Sequence, residues 1–324
     1  MVEFSQIVQK AGDPRIYLWA DGKWFYYDTL QKPIGGGAMG IVYVGYSIDG
    51  RNKVAVKRVN DRYADEMSIR NRARLEASLS FRHPNMIEMI GICEYPSRKG
   101  PIFMLSNYVS GSNIDKYIEE YSGYIQNKEE FVALKMCKIL DALDYLHYKG
   151  VIHRDIKPSN IMIDNNTGEP KLMDLGIAKM SNSKVSSTGL VGTPQYAAPE
   201  QINRTEEDDT LTPAADIYAL GVTCYELLTG SNPFDSDIES EVLTNNLKKK
   251  LPKNKSVSRQ MMKILRKATE KNYKNRFQTA KEFKCAIEKV LGSEQSVLDR
   301  IFDNDFYIAG IFFLFIVIAL ILIF

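Results

Sequence analysis

The sequence predicts an α+β fold of two lobes, a small β-rich one followed by a larger α-rich one, with a single apolar helix at the C-terminus. Three observations carry this. Up to about Val109 the chain favours strands. Beyond it helical patterns dominate, as in Lys128 to Lys149 and Pro213 to Thr229. Finally, Phe306 to Phe324 (FYIAGIFFLFIVIALILIF) holds no charged or strongly polar residue. The expected boundaries are an N-terminal extension with a hairpin over 1–25, a main domain over 26–291 with its lobes meeting at 107/108, a linker over 292–305 and the apolar helix over 306–324.

In the small lobe, Ile16 to Tyr27 (IYLWADGKWFYY) alternates around Asp21-Gly22, a pair that tolerates the positive φ angles of a two-residue hairpin. Val42 to Val59 alternates around Asp49-Gly50 in the same way. Asp65 to Ser80 reads as a helix. Pro33 cannot donate to a ladder, so it belongs at an edge or bulge. The N-terminal hairpin is expected to pack on the small lobe, with partner binding by Trp19 and Trp24 as the alternative. Gly292 to Asp305 (GSEQSVLDRIFDND) is polar and reads as a short linker with some helical character. The tail, as a helix, spans about 28 Å, close to a bilayer core of about 30 Å. A buried core helix of that length would usually carry a polar face. A single-pass membrane anchor is therefore expected. MVEFSQIVQK shows no basic segment followed by an apolar core, so no signal peptide is expected and the bulk stays cytosolic.

Composition narrows the function classes. The formal net charge is +2, which gives nucleic-acid binding little electrostatic support. Cys93, Cys137, Cys224 and Cys285 lie far apart without a CxxC pair, as free thiols of a reducing compartment do. With only three histidines, a structural zinc site is not expected. Lys248, Lys249, Lys250, Lys253 and Lys255 read as a solvated face, with anionic lipid as the sharper alternative.

The first segment with chemistry runs Ile34-Gly35-Gly36-Gly37-Ala38-Met39-Gly40-Ile41-Val42. Glycines let a backbone approach phosphates and present its N–H groups to them. A dinucleotide-binding turn would need a helix after the last glycine, but a strand pattern, IVYVGYSI, follows. A plain hairpin would carry the same glycines. The second segment, Val54-Ala55-Val56-Lys57, sits on a return strand that can bring Lys57 under that loop. The third is His153-Arg154-Asp155-Ile156-Lys157-Pro158-Ser159-Asn160, followed by Asp174-Leu175-Gly176 and Ala198-Pro199-Glu200.

In this order the motifs resemble the protein kinase family, and the resemblance covers about Tyr26 to Leu291. It implies a bilobal kinase fold and an ATP- and magnesium-dependent enzyme, with manganese as a substitute metal. By the same resemblance, Asp155 accepts the hydroxyl proton and Lys157 steadies the γ-phosphate. Asn160 and Asp174 hold the metal, and Lys57 grips the α- and β-phosphates. Lys157 and the Gly192-Thr193-Pro194 segment resemble the Ser/Thr-specific members, with Thr193 near the acceptor hydroxyl. Asp216 resembles the buried aspartate that anchors the catalytic-loop backbone, and Arg276 the arginine that pairs with Glu200. Arg154 often pairs, in that family, with a phosphate on the activation loop; Ser186, Ser187 and Thr188 are the candidate acceptors here. The implied partners are proteins bearing Ser or Thr, and a second copy of the chain in a homodimer for autophosphorylation.

Some positions depart from the family pattern. Lys57 should pair with a glutamate on the small-lobe helix, and Glu76 is the candidate. Yet counting back from His83-Pro84 without gaps puts Arg74 there, and Glu76 falls about 200° further around the helix. Asn107, Tyr108 and Val109 are expected to line the adenine. Ser106, smaller than the usual residue at its position, predicts a roomy pocket behind it. A scaffold without catalysis is the rival reading, but it predicts loss of Lys57, Asp155, Asn160 or Asp174, all of which are present. A small-molecule kinase is disfavoured by the Gly192-Thr193 and Ala198-Pro199-Glu200 segment, which presents peptides in the family.

Overall fold

The computed structural model describes residues 6–37, 40–60, 70–71, 74, 81–95, 100–174, 194–203 and 211–302, with side chains as far as 292. Among the described residues the small lobe is built on one antiparallel sheet. Its strands are β1 (Ile7–Gln9), β2 (Arg15–Ala20), β3 (Lys23–Asp28), β4 (Gly35–Gly37), β5 (Gly40–Ser47), β6 (Lys53–Val59), β7 (Met89–Cys93) and β8 (Phe103–Asn107). They lie in the order β1-β2-β3-β5-β6-β8-β7, and β4 pairs with β5 alone. Ala20 faces Lys23 across a two-residue turn, where Asp21 and Gly22 take φ of 48° and 70°. Both angles lie in the left-handed region that Asp and Gly tolerate best.

β3 runs through the boundary expected between 25 and 26, so the N-terminal strands continue the lobe's own sheet. Pro33 stands just before β4, outside any ladder. The second hairpin differs from expectation. The N–H of Ser47 donates to Asn52 O at 2.9 Å, so Ile48 to Arg51 form a four-residue loop. Asp49 Oδ1 accepts the N–H of Arg51 and the Ser47 hydroxyl inside it, a side-chain turn that competes with the tighter backbone one. The helix expected over Asp65 to Ser80 is described only at Arg70, Asn71 and Arg74, which are helical.

Alternation on β6 sends Val54 and Val56 into the small-lobe core, together with Leu18, Phe25, Tyr27, Phe103 and Leu105. Ala55 and Lys57 therefore face the opposite side. The sheet curls until its ends meet: Cys93 Sγ donates to Trp19 O at 3.3 Å, and Ala20 lies directly against Gly91.

The second lobe contains α1 (Ile114–Glu120), α2 (Lys128–Tyr148), α3 (Pro199–Ile202), α4 (Ala214–Thr229), α5 (Glu239–Lys248), α6 (Arg259–Ala268) and α7 (Ala280–Phe302). A small sheet of β9 (Gly111–Asn113), β10 (Ile161–Asp164) and β11 (Pro170–Leu172) lies against them. Asn127 caps α2 by accepting the Glu130 N–H, and Gly230 ends α4 at φ 82°. Leu140, Leu143 and Leu146 on α2 and Leu220, Leu227 and Leu228 on α4 belong to one core, each contributing roughly 1.5–3 kcal/mol of burial.

α7 extends through Phe302, so the polar segment from Gly292 continues the preceding helix. Among the described residues no helix is long and apolar enough to cross a membrane; 306–324 lies outside them. All four cysteines are free thiols.

Candidate active site

Between the lobes, five expected residues form a chain of contacts. In the small lobe, Gly35 pairs with Val42, Gly36 with Ile41 and Gly37 with Gly40, while Ile34 N–H donates to Val42 O. The hairpin tip, Ala38-Met39, lies outside the described residues. Gly40 has a steric reason to be glycine: a Cβ there would stand 2.4 Å from Arg58 O. β6 runs alongside β5 with Val42 opposite Lys57 and Val44 opposite Ala55, so Lys57 is held one strand from the glycine hairpin. Its ammonium meets Asp174 Oδ1 at 2.9 Å, bridging the two lobes.

On the large-lobe side, Asp174 follows Met173, whose N–H donates to Asn160 O at 2.9 Å. Asn160 Nδ2 in turn donates to Asp155 O at 2.7 Å and to Asp155 Oδ2 at 3.1 Å. Lys157 Nζ stands 3.3 Å from the same Oδ2. Two carboxylates, an amide and two ammonium groups thus share one region. The His153 ring nitrogen Nε2 lies 3.0 Å from Met173 O, tying the His153–Asn160 loop to the segment that carries Asp174.

The loop is held from below. Asp216 is fully buried on α4. It accepts the N–H of His153 and of Arg154, each at 2.8 Å, and the ring of His147 at 2.8 Å. These donors anchor Arg154 at φ 67°, while Asp174 lies at φ 49°. Such angles cost non-glycine residues about 1–3 kcal/mol and persist where the surroundings over-determine them. Burial alone would raise the Asp216 carboxyl; the His147 side chain and the backbone donors outweigh it and hold the group below the usual carboxylate range. Arg276 meets Glu200 with two parallel hydrogen bonds of 2.6 and 2.8 Å and also donates to Ala214 O, pinning α3 to α4.

Ser106 is half-buried on β8, opposite Ala55 on one side and Met89 on the other. Asn107 ends the strand with its N–H donated to Glu88 O, and Tyr108 and Val109 carry the chain out of the sheet. Glu76, Ser186, Ser187, Thr188 and Thr193 lie outside the described residues. Sequence reasoning missed His147, the side-chain partner of Asp216. It also missed Asn246, whose Nδ2 donates to Pro194 O, and Glu226, which accepts the Tyr196 hydroxyl. No local motif marks these three, because their partners are distant in the chain.

The sequence model of the protein kinase domain matches residues 28–286. The chain belongs to that family. Among curated proteins, serine/threonine-protein kinase PrkC of Bacillus subtilis is 32% identical over 274 residues, covering 82% of this chain and 41% of that protein. Serine/threonine-protein kinase PknB of Mycobacterium tuberculosis is 30% identical over 276 residues, 82% of this chain and 43% of its own length. A probable serine/threonine-protein kinase PknB of Lactococcus lactis is 31% identical over 262 residues, 78% and 40% respectively. The chain thus spans about two fifths of the relatives it matches.

The donor set of this kinase domain suits a hard cation. Among the described residues no group of three or more His, Cys, Asp or Glu could hold a metal ion by itself. Magnesium does not need one, since one or two carboxylates together with phosphate oxygens usually suffice. The half-exposed Asp174 carboxylate and the Asn160 amide oxygen are donors of that kind.

Proposed function

We propose that this chain is an ATP-dependent protein serine/threonine kinase held at a membrane by residues 306–324. The observation that supports it is the continuous link from Lys57 through Asp174, the adjoining Met173 backbone and Asn160 to Asp155 and Lys157. Phosphoryl transfer asks mainly for positioning and charge neutralisation. In this reading Lys57 binds the α- and β-phosphates beneath the glycine hairpin, and Asp155 orients the acceptor hydroxyl and takes its proton. Lys157 holds the γ-phosphoryl oxygens, and the Tyr108–Val109 backbone contacts the adenine edge beside Ser106. Asn160 and Asp174 would hold magnesium, or manganese in its place, which when bound masks phosphate charge from the incoming oxygen. Autophosphorylation at Ser186, Ser187 or Thr188 would give Arg154 an anion to hold.

Phosphate transfer from ATP to a generic basic protein, followed by mapping of phosphoserine and phosphothreonine, tests the reading. Asp155→Asn is expected to lower kcat by about 10²–10⁴-fold, the usual range for a lost general base, with an unchanged melting temperature. A variant as fast as the parent chain overturns the assignment.

A further inference from the structure

Strands β1 and β2 and all of β3 but its last residue precede the matched kinase region, which begins at 28, yet they are built into the small lobe. Ile7, Leu18, Ala20, Phe25 and Tyr27 share a core with Val54, Val56, Cys93, Phe103 and Leu105. Where the curled sheet closes, Glu94 follows β7 and makes two kinds of contact. Its backbone N–H donates to Gln6 Oε1 at 3.2 Å, and Gln6 O in turn accepts the Trp19 N–H. Its carboxylate accepts Arg70 Nη1 at 2.8 Å, Arg74 Nε at 2.6 Å and Arg74 Nη2 at 2.9 Å.

Arg70 and Arg74 are helical and four residues apart, so both lie on one face of a turn. Arg70 has no exposure at all, and its other terminal nitrogen donates to Gly100 O at 2.6 Å. A guanidinium so buried is expensive without an anion beside it. The carboxylate of Glu94 supplies that charge, and both arginines help hold its carboxyl below the ordinary range against the opposing effect of burial.

The register carries this contact toward the site. Lys57 pairs with Met104, and Met104 with Ile92, so the three lie side by side across β6, β8 and β7. Glu94 follows Ile92 by two residues, the spacing that returns to the same face of a strand. Arg70 and Arg74 are therefore fastened at the edge of the face that presents Lys57.

We infer that Glu94 is a positioning residue that fastens the helical residues Arg70 and Arg74 to the sheet, and that Gln6 of the N-terminal strands sets where Glu94 stands. The N-terminal strands are thus a clamp acting on ATP binding by Lys57, an inference that rests on the kinase reading for its catalytic consequence but not for the clamp itself.

The test uses the full chain with Gln6→Ala and Glu94→Gln. It reads amide hydrogen exchange at 70–74, KM for ATP, kcat and the melting temperature. Gln6→Ala removes one uncharged hydrogen bond, so exchange at 70–74 and KM are each expected to rise about three- to tenfold, the worth of one such bond. The change should fall on KM rather than kcat, with little change in melting temperature. Glu94→Gln is expected to move the same two quantities further. If Glu94→Gln fails to fold, Gln6→Ala decides alone. Unchanged exchange at 70–74 in Gln6→Ala overturns the clamp, as does exchange that rises evenly over the whole lobe. Faster exchange at 70–74 with KM unmoved supports the fastening and overturns its link to ATP. If the parent chain transfers no phosphate, the kinase reading fails while the exchange data still judge the clamp.

Discussion

The buried carboxylate of Asp216 sets the backbone of His153 and Arg154, and so the position of Asp155 next to them. Its folded value lies below the ordinary 3.8. A group shifted this way contributes stability that is present above the unfolded value and is lost as pH falls through the lower folded value. Asp216→Asn is therefore expected to flatten the acid limb of the melting profile below about pH 4. It should also cost about 3–5 kcal/mol at neutral pH, as breaking a buried charged network does. Melting curves from neutral to acid pH check both; parallel acid limbs in the two proteins would refute the account. Ser106→Phe concerns the same site from its adenine side. Filling the space beside Ala55 should weaken inhibition by purine analogues with a bulky group aimed there by at least about fivefold, since overpacking costs roughly 1–3 kcal/mol. Unchanged potency would mean that Ser106 does not border the adenine. The residues from His153 to Asn160 could be read in the sequence because they are contiguous and chemically unusual together. His147 could not, since it meets Asp216 from another helix, 69 positions away.

At the scale of elements, local chemistry made the Asp21-Gly22 hairpin and helices α2 and α4 legible. The turn residues, the Asn127 cap and the apolar spacing all act within a few positions. The Asp49-Gly50 turn was misjudged in length because the Ser47 hydroxyl and the Asp49 carboxylate bond to each other and to nearby backbone, which favours the wider loop. The caps allow a clean test. Asn127→Ala removes the acceptor of the Glu130 N–H; a cap is typically worth about 1 kcal/mol, or about 2–4 °C in a domain of this size. Phosphate transfer should be unaffected, because Asn127 touches none of the site residues. Gly40→Ala is expected to differ. Its Cβ would press on the Arg58 carbonyl, pushing β5 from β6 where Val42 and Lys57 stand opposite each other. KM for ATP should rise along with a stability loss of about 1–3 kcal/mol; a loss of stability with KM unchanged would separate the glycine hairpin from nucleotide binding.

Across the whole molecule, the two lobes and their order were legible, because strand and helix periods differ and the change falls near Val109. The closure of the small-lobe sheet was not. It joins Gln6 and Trp19 to Cys93 and Glu94, and no short-range pattern announces such a contact. The apolar run from Phe306 to Phe324 speaks on its own through length and composition. As α7 runs to Phe302, a membrane helix starting just beyond it would keep the active site near the bilayer. A substrate anchored in the same bilayer would then be met at a much higher effective concentration. Deleting 306–324 should leave the rate on a soluble peptide unchanged and release the protein from vesicles in a flotation assay. On a vesicle-anchored substrate the rate should fall by about 10²–10⁴-fold, the range that tethering contributes. The exposed lysines 248, 249, 250, 253 and 255 offer a second route to anionic lipid, with a different signature. Attachment through them would persist after the deletion and vanish at high salt, where screening shortens the reach of surface charge. A truncated chain that still floats at high salt would exclude both the apolar run and the lysines as the means of attachment.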